Sequence, residues 1–145
     1  MQRLAEEGRQ GLGSVVVQSA GNSASVGDDT NLHNFQNSRY IITVAATGYD
    51  GKVTSYSSPG ASILLAAPGG GGGDFLSDIV TSDRTGDLGY RSGDVTTITG
   101  TSFSAPVVSG VVALMLEANP SLGYRDVQQI LAYSAHATAA STNTW

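Results

Sequence analysis

The chain has 145 residues, a net charge of −5, no Cys and 19 Gly, about twice the usual glycine share. Its 40% apolar content excludes a disordered chain, and seven scattered cations exclude a phosphate-binding face, so no nucleic-acid partner is expected. The lack of Cys excludes disulfides, zinc–thiolate sites and thiol nucleophiles together. No apolar run approaches the roughly 18 residues of a membrane span, so no membrane partner is expected, and the polar residues after Met1 do not read as a signal peptide.

Residues 1–10 read as the end of a helix, with Leu4, Ala5, Glu6 and Glu7 as formers and Gly11 as the stop. The β-branched run 14–20 predicts a buried strand ending at Gly21-Asn22, and the polar residues 23–38 predict a long functional loop. Residues 40–46 and 62–67 predict two more buried strands, the latter closed by Pro68-Gly69. Residues 52–56 suggest a short strand and residues 78–82 a fourth, whereas residues 84–98 read as a loop or hairpin. Residues 106–116 predict a helix apolar on more than one side and therefore buried all round. A second helix is predicted over 124–135, with Gly123 at its N-cap and Val127, Ile130, Leu131 and Ser134 facing inward. Apolar strands mixed with helices point to an α/β layer fold with a mostly parallel sheet, in one domain or part of one.

Chemistry concentrates in Gly100-Thr101-Ser102-Phe103-Ser104-Ala105-Pro106, at the start of the buried helix. A hydroxyl there faces unsatisfied N–H groups and the positive end of the helix dipole, which would stabilise a forming anion. Taken alone, the segment reads rather as a Ser/Thr N-cap, which is far commoner than a nucleophile, and Gly21-Asn22 as an ordinary turn.

The two segments together resemble the subtilisin-like serine peptidases. Gly100-Thr101-Ser102-x-Ser104-Ala105-Pro106 is similar to that family's nucleophile segment, and Ser19-Ala20-Gly21-Asn22 to its oxyanion-asparagine segment. Residues 8–14, 37–41, 67–69, 79–83 and 116–120 match in family order, and Tyr124-Arg125-Asp126-Val127-Gln128 resembles the kexin/furin-like proprotein convertase branch. The resemblance implies the subtilisin-like three-layer fold, with a mostly parallel sheet and a buried central helix. It implies a serine endopeptidase acting on polypeptides. Ser102 would be the nucleophile, the Asn22 amide and the Ser102 N–H would donate to the oxyanion, and Ser19, Ala20 and Gly21 would wall a substrate pocket.

The family's triad runs Asp, His, Ser along the chain. Neither an Asp-Ser/Thr-Gly nor a His-Gly-Thr segment is present, and the two histidines, His33 and His136, do not match the family's base. The resemblance therefore implies that residues 1–145 are the C-terminal part of a peptidase domain. The remainder of that domain is then a partner, and the isolated chain is expected to be inactive. It also implies a secreted or extracellular setting.

Counted without gaps, His33 stands where convertases carry an acidic residue that holds a basic substrate side chain, so cleavage after paired basic residues is not expected. Asp28 falls on a convertase calcium ligand, but Ser58 stands where that site has Glu. No metal site is therefore assigned, no cofactor is required for the chemistry, structural calcium lacks a complete ligand set, and Asp28-Asp29 reads as a solvated turn. The aspartates at 78, 83, 87 and 94 read as solvated too. Residues 69–77 fit one copy of a calcium-binding β-roll repeat, which needs about three stacked copies, and otherwise read as a flexible glycine loop. Two other readings stand beside the peptidase: a non-catalytic module keeping the fold, and a calcium-stabilised structural piece.

Overall fold

The computed structural model describes residues 1–71, 73 and 76–137. A three-stranded parallel sheet is built from β1 (Val16–Ser19), β2 (Ile41–Thr47) and β3 (Ile63–Pro68), with β2 in the centre. Val16 pairs with Ile41 and Ser19 with Val44; on the other side Thr43 pairs with Ile63 and Thr47 with Pro68, across an irregularity at Thr43/Val44. Centrality decides burial: all seven residues of β2 are buried, whereas β1 and β3, read as buried strands, are largely half-buried edges.

The helix α2 (Thr101–Ala118) crosses all three strands and begins five residues before the predicted start, leaving Pro106 inside it. Its buried residues Thr101, Ser104, Val108 and Val112 recur at three- and four-residue spacing and form one face. Burial all round is not observed. Val107, Val111 and Leu114 are 45%, 43% and 65% exposed, because among the described residues only the sheet side of the helix is covered. With 18 residues and a mean hydropathy of 1.4, α2 is also long and apolar enough to cross a membrane, contrary to the sequence reading. Among the described residues it packs one face on the sheet and leaves the other exposed.

The helix α3 (Tyr124–Ser134) adds Val127 and Leu131 to the cluster formed by Ile42, Val44, Ala67, Val108 and Val112. Ile130, predicted to face inward, is 42% exposed. The α3 N-terminus is closed by Asp126, whose carboxylate accepts the Gly123 N–H at 2.8 Å. The N-terminal segment, with its short helix α1 (Gln2–Glu7), reaches this region through Arg9, which donates to the carbonyls of Pro120 and Leu122 at 2.8 Å each.

The remaining strands, β4 (Ile79–Ser82) and β5 (Val95–Ile98), form an antiparallel pair, so residues 84–98 hold a strand as well as a loop. Asp83, read as solvated, ties the connection down by accepting the N–H groups of Arg84 and Arg91. Residues 52–56 contribute only a single bridge, Thr47 to Val53. In the glycine run, residues 72, 74 and 75 lie outside the described residues, as do residues 138–145. Gly69 and Gly70 are tightly held: the Tyr56 hydroxyl is 2.7 and 2.8 Å from their carbonyl oxygens, and a Cβ at Gly69 would stand 2.5 Å from Ser104 Oγ.

Candidate active site

The carboxyl ends of the parallel strands gather the two segments singled out in the sequence. Ala20 continues the β1–β2 ladder by donating its N–H to Val44 O at 2.9 Å, and Gly21-Asn22 follows at once. On the other side Thr47 O accepts from Gly69 N–H, and Gly69 O accepts from Gly100 N–H, at 2.9 and 2.8 Å. The N-terminus of α2 is thereby pinned to the end of β2, the position at which open α/β sheets bind ligands.

Asn22 and Thr101 lock together. Asn22 Oδ1 accepts the Thr101 N–H at 2.9 Å and the Thr101 hydroxyl at 2.8 Å, while Thr101 Oγ1 accepts the Gly21 N–H at 3.1 Å. A backbone N–H can only donate, so the carboxamide atom facing it must be the oxygen. The amide nitrogen Nδ2 is left as a donor without a partner among the described residues, on an exposed side chain. A Cβ at Gly100 would stand 3.2 Å from this nitrogen, and the Gly100 backbone, at φ 147°, is one that L side chains rarely adopt.

Ser102 is the second residue of α2 and is exposed, so its N–H belongs to the unsatisfied first turn. Its Oγ makes no hydrogen bond among the described residues. Ser104 differs: its side chain is fully buried against Gly69, and its Oγ has no partner among the described residues. Ser102 and Asn22 thus lie at one strand–helix junction: Asn22 is bonded to Thr101, and Ser102, next in the chain, is exposed in the first turn of α2.

Ser19, Ala20 and Gly21 form the strand end leading into Asn22. Ala20 is buried, and Gly21 holds a φ of 111° with Ser58 Oγ 2.9 Å from where a Cβ would be. Ser58 braces the asparagine on both sides: its N–H donates to Gly21 O at 2.9 Å, and its Oγ accepts the Ser23 N–H at 3.1 Å. The Ser58 hydroxyl in turn donates to Asp28 Oδ2 at 2.7 Å, and Asp28 Oδ1 lies 2.6 Å from His33 Nε2. Asp28 is therefore not a solvated turn residue; its side chain is 20% exposed. The hydrogen bond from His33, then that from Ser58, holds its carboxyl below the ordinary value of 3.8.

His33 faces Asp28, and neither it nor His136, which follows α3, hydrogen-bonds Ser102. Asp28 has both oxygens engaged by protein donors and Ser58 offers a hydroxyl, a poor fit to calcium, which takes six to eight oxygen ligands. Tyr56 escaped the sequence reading as part of the site, because it acts through contacts distant in sequence. Thr101 and Gly69 lay in matched segments without a role of their own, and Ser58 was singled out only as the departure from a calcium-site Glu, not as the brace of Gly21 and Asp28.

The sequence profile of the subtilase family matches residues 1–144. The chain is 40% identical over 128 residues to proprotein convertase subtilisin/kexin type 7 of Homo sapiens, covering 88% of this chain and 16% of that protein. It is 34% identical over 139 residues to Furin-1 of Xenopus laevis, covering 96% of this chain and 17% of that one. The chain thus spans less than a fifth of the length of these relatives. Among solved structures, a serine protease of Aeromonas sobria superposes with a TM-score of 0.78 at 26% identity, covering 93% of this chain and 29% of that one. A protease from Pseudoalteromonas arctica superposes with a TM-score of 0.74 at 28% identity, covering 90% and 40%.

Proposed function

The chain belongs to the subtilase family, and from that premise we propose that it carries the nucleophile and oxyanion half of a serine endopeptidase acting on polypeptides. The observation behind this reading is the locked Asn22–Thr101 pair, which leaves a carboxamide N–H free beside Ser102 at a helix N-terminus. In the reaction, Ser102 Oγ attacks the carbonyl carbon of the scissile bond and gives its proton to a general base. The carbonyl oxygen becomes an oxyanion that accepts from Asn22 Nδ2 and the Ser102 N–H. Collapse expels the amine and leaves an acyl-enzyme, which water then hydrolyses. Ser19, Ala20 and Gly21 wall the pocket for the side chain before the scissile bond. His33, assigned to the same pocket, is held on Asp28 and does not offer the carboxylate that would draw Arg or Lys.

The base is the missing part. Ser102 Oγ has no histidine partner among the described residues, so residues 1–145 act as the C-terminal part of a peptidase domain, and the Asp and His come from its remainder. The setting is secretory or extracellular, and no metal takes part in the chemistry. The unpartnered Ser102 hydroxyl also favours a second reading, a binding module that keeps the fold without turnover.

A fluorophosphonate probe tests this directly. The isolated chain should label slowly, and addition of a polypeptide supplying the family's Asp and His segments should accelerate labelling at Ser102. Rapid labelling of the isolated chain would refute the need for an external base. No acceleration by the added segments would favour the non-catalytic module.

A further inference from the structure

Away from the strand–helix junction, a concavity of about 380 Å³ is lined by Arg39, Tyr124, Arg125, Gln128 and Gln129. Every one of these side chains can donate a hydrogen bond, and none is a carboxylate. Both guanidiniums lie by aromatic rings: Arg39 is 5.0 Å from the Tyr40 centroid, Arg125 is 5.7 Å from that of Tyr124, and the two tyrosines pack at 6.3 Å. Arg125 Nε is further held by the Tyr124 hydroxyl at 3.0 Å, and Gln128 Nε2 donates to Arg39 O at 3.3 Å. Neither arginine has an acidic partner among the described residues; the ion pairs there are Arg3–Glu7, His33–Asp28 and Lys52–Asp50. Two pre-oriented, unpaired guanidiniums on a chain of net charge −5 are a local reversal of sign.

The groove does not stop there. Gln129 also lines a neighbouring concavity of about 580 Å³ with Leu122, Asp126, Ile130, Tyr133 and Ser134. Ile130 and Tyr133 are exposed, the latter at 90%. One side of α3 is therefore cationic near its N-terminus and apolar toward its C-terminus.

We propose that this face of α3 is a docking groove for an acidic peptide segment, its carboxylates held by Arg39 and Arg125 and an apolar side chain seated on Ile130, Tyr133 and Leu122. Charge complementarity identifies the occupant, since the two guanidiniums are unpaired whereas the nearby Asp126 carboxylate is engaged by the Gly123 N–H. The groove's lining includes neither Ser102 nor Asn22, so it would capture an acidic segment of a polypeptide partner away from the bond that is cut. It stands or falls independently of the peptidase reading.

The test is fluorescence anisotropy of a labelled Gly-Glu-Glu-Leu-Phe-Gly peptide on the purified protein. The acidic peptide should bind, and its Gln-Gln counterpart should bind about tenfold more weakly. Arg39→Gln with Arg125→Gln should weaken the acidic peptide about tenfold and leave the melting temperature unchanged. The double exchange Arg39→Glu with Arg125→Glu should reverse the preference toward a Lys-Lys-Leu-Phe peptide, which guards against mere loss of folding. Equal binding of acidic and neutral peptides, or unchanged binding by the variants, overturns the proposal. So does full displacement by inorganic phosphate at the peptide's own concentration, which would mark a small-anion site.

Discussion

Asn22 does two jobs with one side chain, and they can be separated. Its oxygen caps α2 through Thr101, while its nitrogen is the free donor. Asn22→Asp keeps the acceptor and removes the donor, so the melting temperature should hold while turnover in the assembled peptidase falls. The oxyanion donor of the family's type enzyme is worth about 10²–10³ in turnover. Thr101→Val removes the hydroxyl bonds to Asn22 and Gly21 and should lower stability by about 1 kcal/mol per lost bond, with turnover falling as the carboxamide loosens. Calorimetry on the first variant and urea melts on the second are the measurements. Asp28 sets a pH dependence. Its carboxyl titrates lower folded than unfolded, so its contribution to stability is present above the ordinary value of 3.8 and is lost as pH falls through the folded value. Melts from pH 6 down to 3 should show this acid loss, and Asp28→Asn should flatten it. The Gly100-Thr101-Ser102 and Gly21-Asn22 segments were legible as sequence because the chemistry restricts their residue types. The bracing role of Ser58 was not: the family count set it beside Asp28 only as a missing calcium ligand, and its bonds to Gly21, Ser23 and Asp28 exist only once the fold brings them together.

Helix α2 shows what periodicity captures and where it stops. Its four valines, spread over 107–112, are poor helix formers, so packing on three strands must hold it. Val112 is buried in the shared cluster whereas Val111, one residue away, is 43% exposed. Val112→Ala should therefore cost about 2 kcal/mol in a urea melt, and Val111→Ala should stay within about 0.5 kcal/mol. Equal losses would mean that Val111 is covered too. Hydropathy made the whole helix look interior, since composition records how apolar a residue is and not which neighbour covers it. The same limit explains β1 and β3: their apolar runs were read as buried like that of β2, but among the described residues only the central strand has a neighbour on each side. It also explains β5, whose adjacent Thr96-Thr97 left residues 84–98 undecided between loop and hairpin until they pair with β4.

At the scale of the molecule, the uncovered valines and Leu114 on α2 lie beside a sheet with two open edges among the described residues. An apolar face of this kind drives association when nothing covers it, and open edges add to it. The chain alone should elute from a sizing column as concentration-dependent oligomers, and Leu114→Glu should shift it toward monomer. A stable monomer at all concentrations would show that the face is tolerated in water. Association of this kind fits a unit that spans only part of the length of its relatives.

Sequence by itself determined the class of the fold, the order of its main elements, and the two segments that carry the proposed chemistry. Strand and helix periods are local, and a nucleophile with its oxyanion donor needs particular residues at particular places along the chain. Tertiary structure alone decided which strand is central, which face of α2 is covered, and which way the Asn22 carboxamide points. Those outcomes depend on atoms from residues far apart in sequence. Asn22 meets Thr101 across 79 positions, and Arg9 meets Leu122 across 113. No local pattern encodes a hydrogen bond between partners so far apart; packing of the sheet against α2 and α3 creates it.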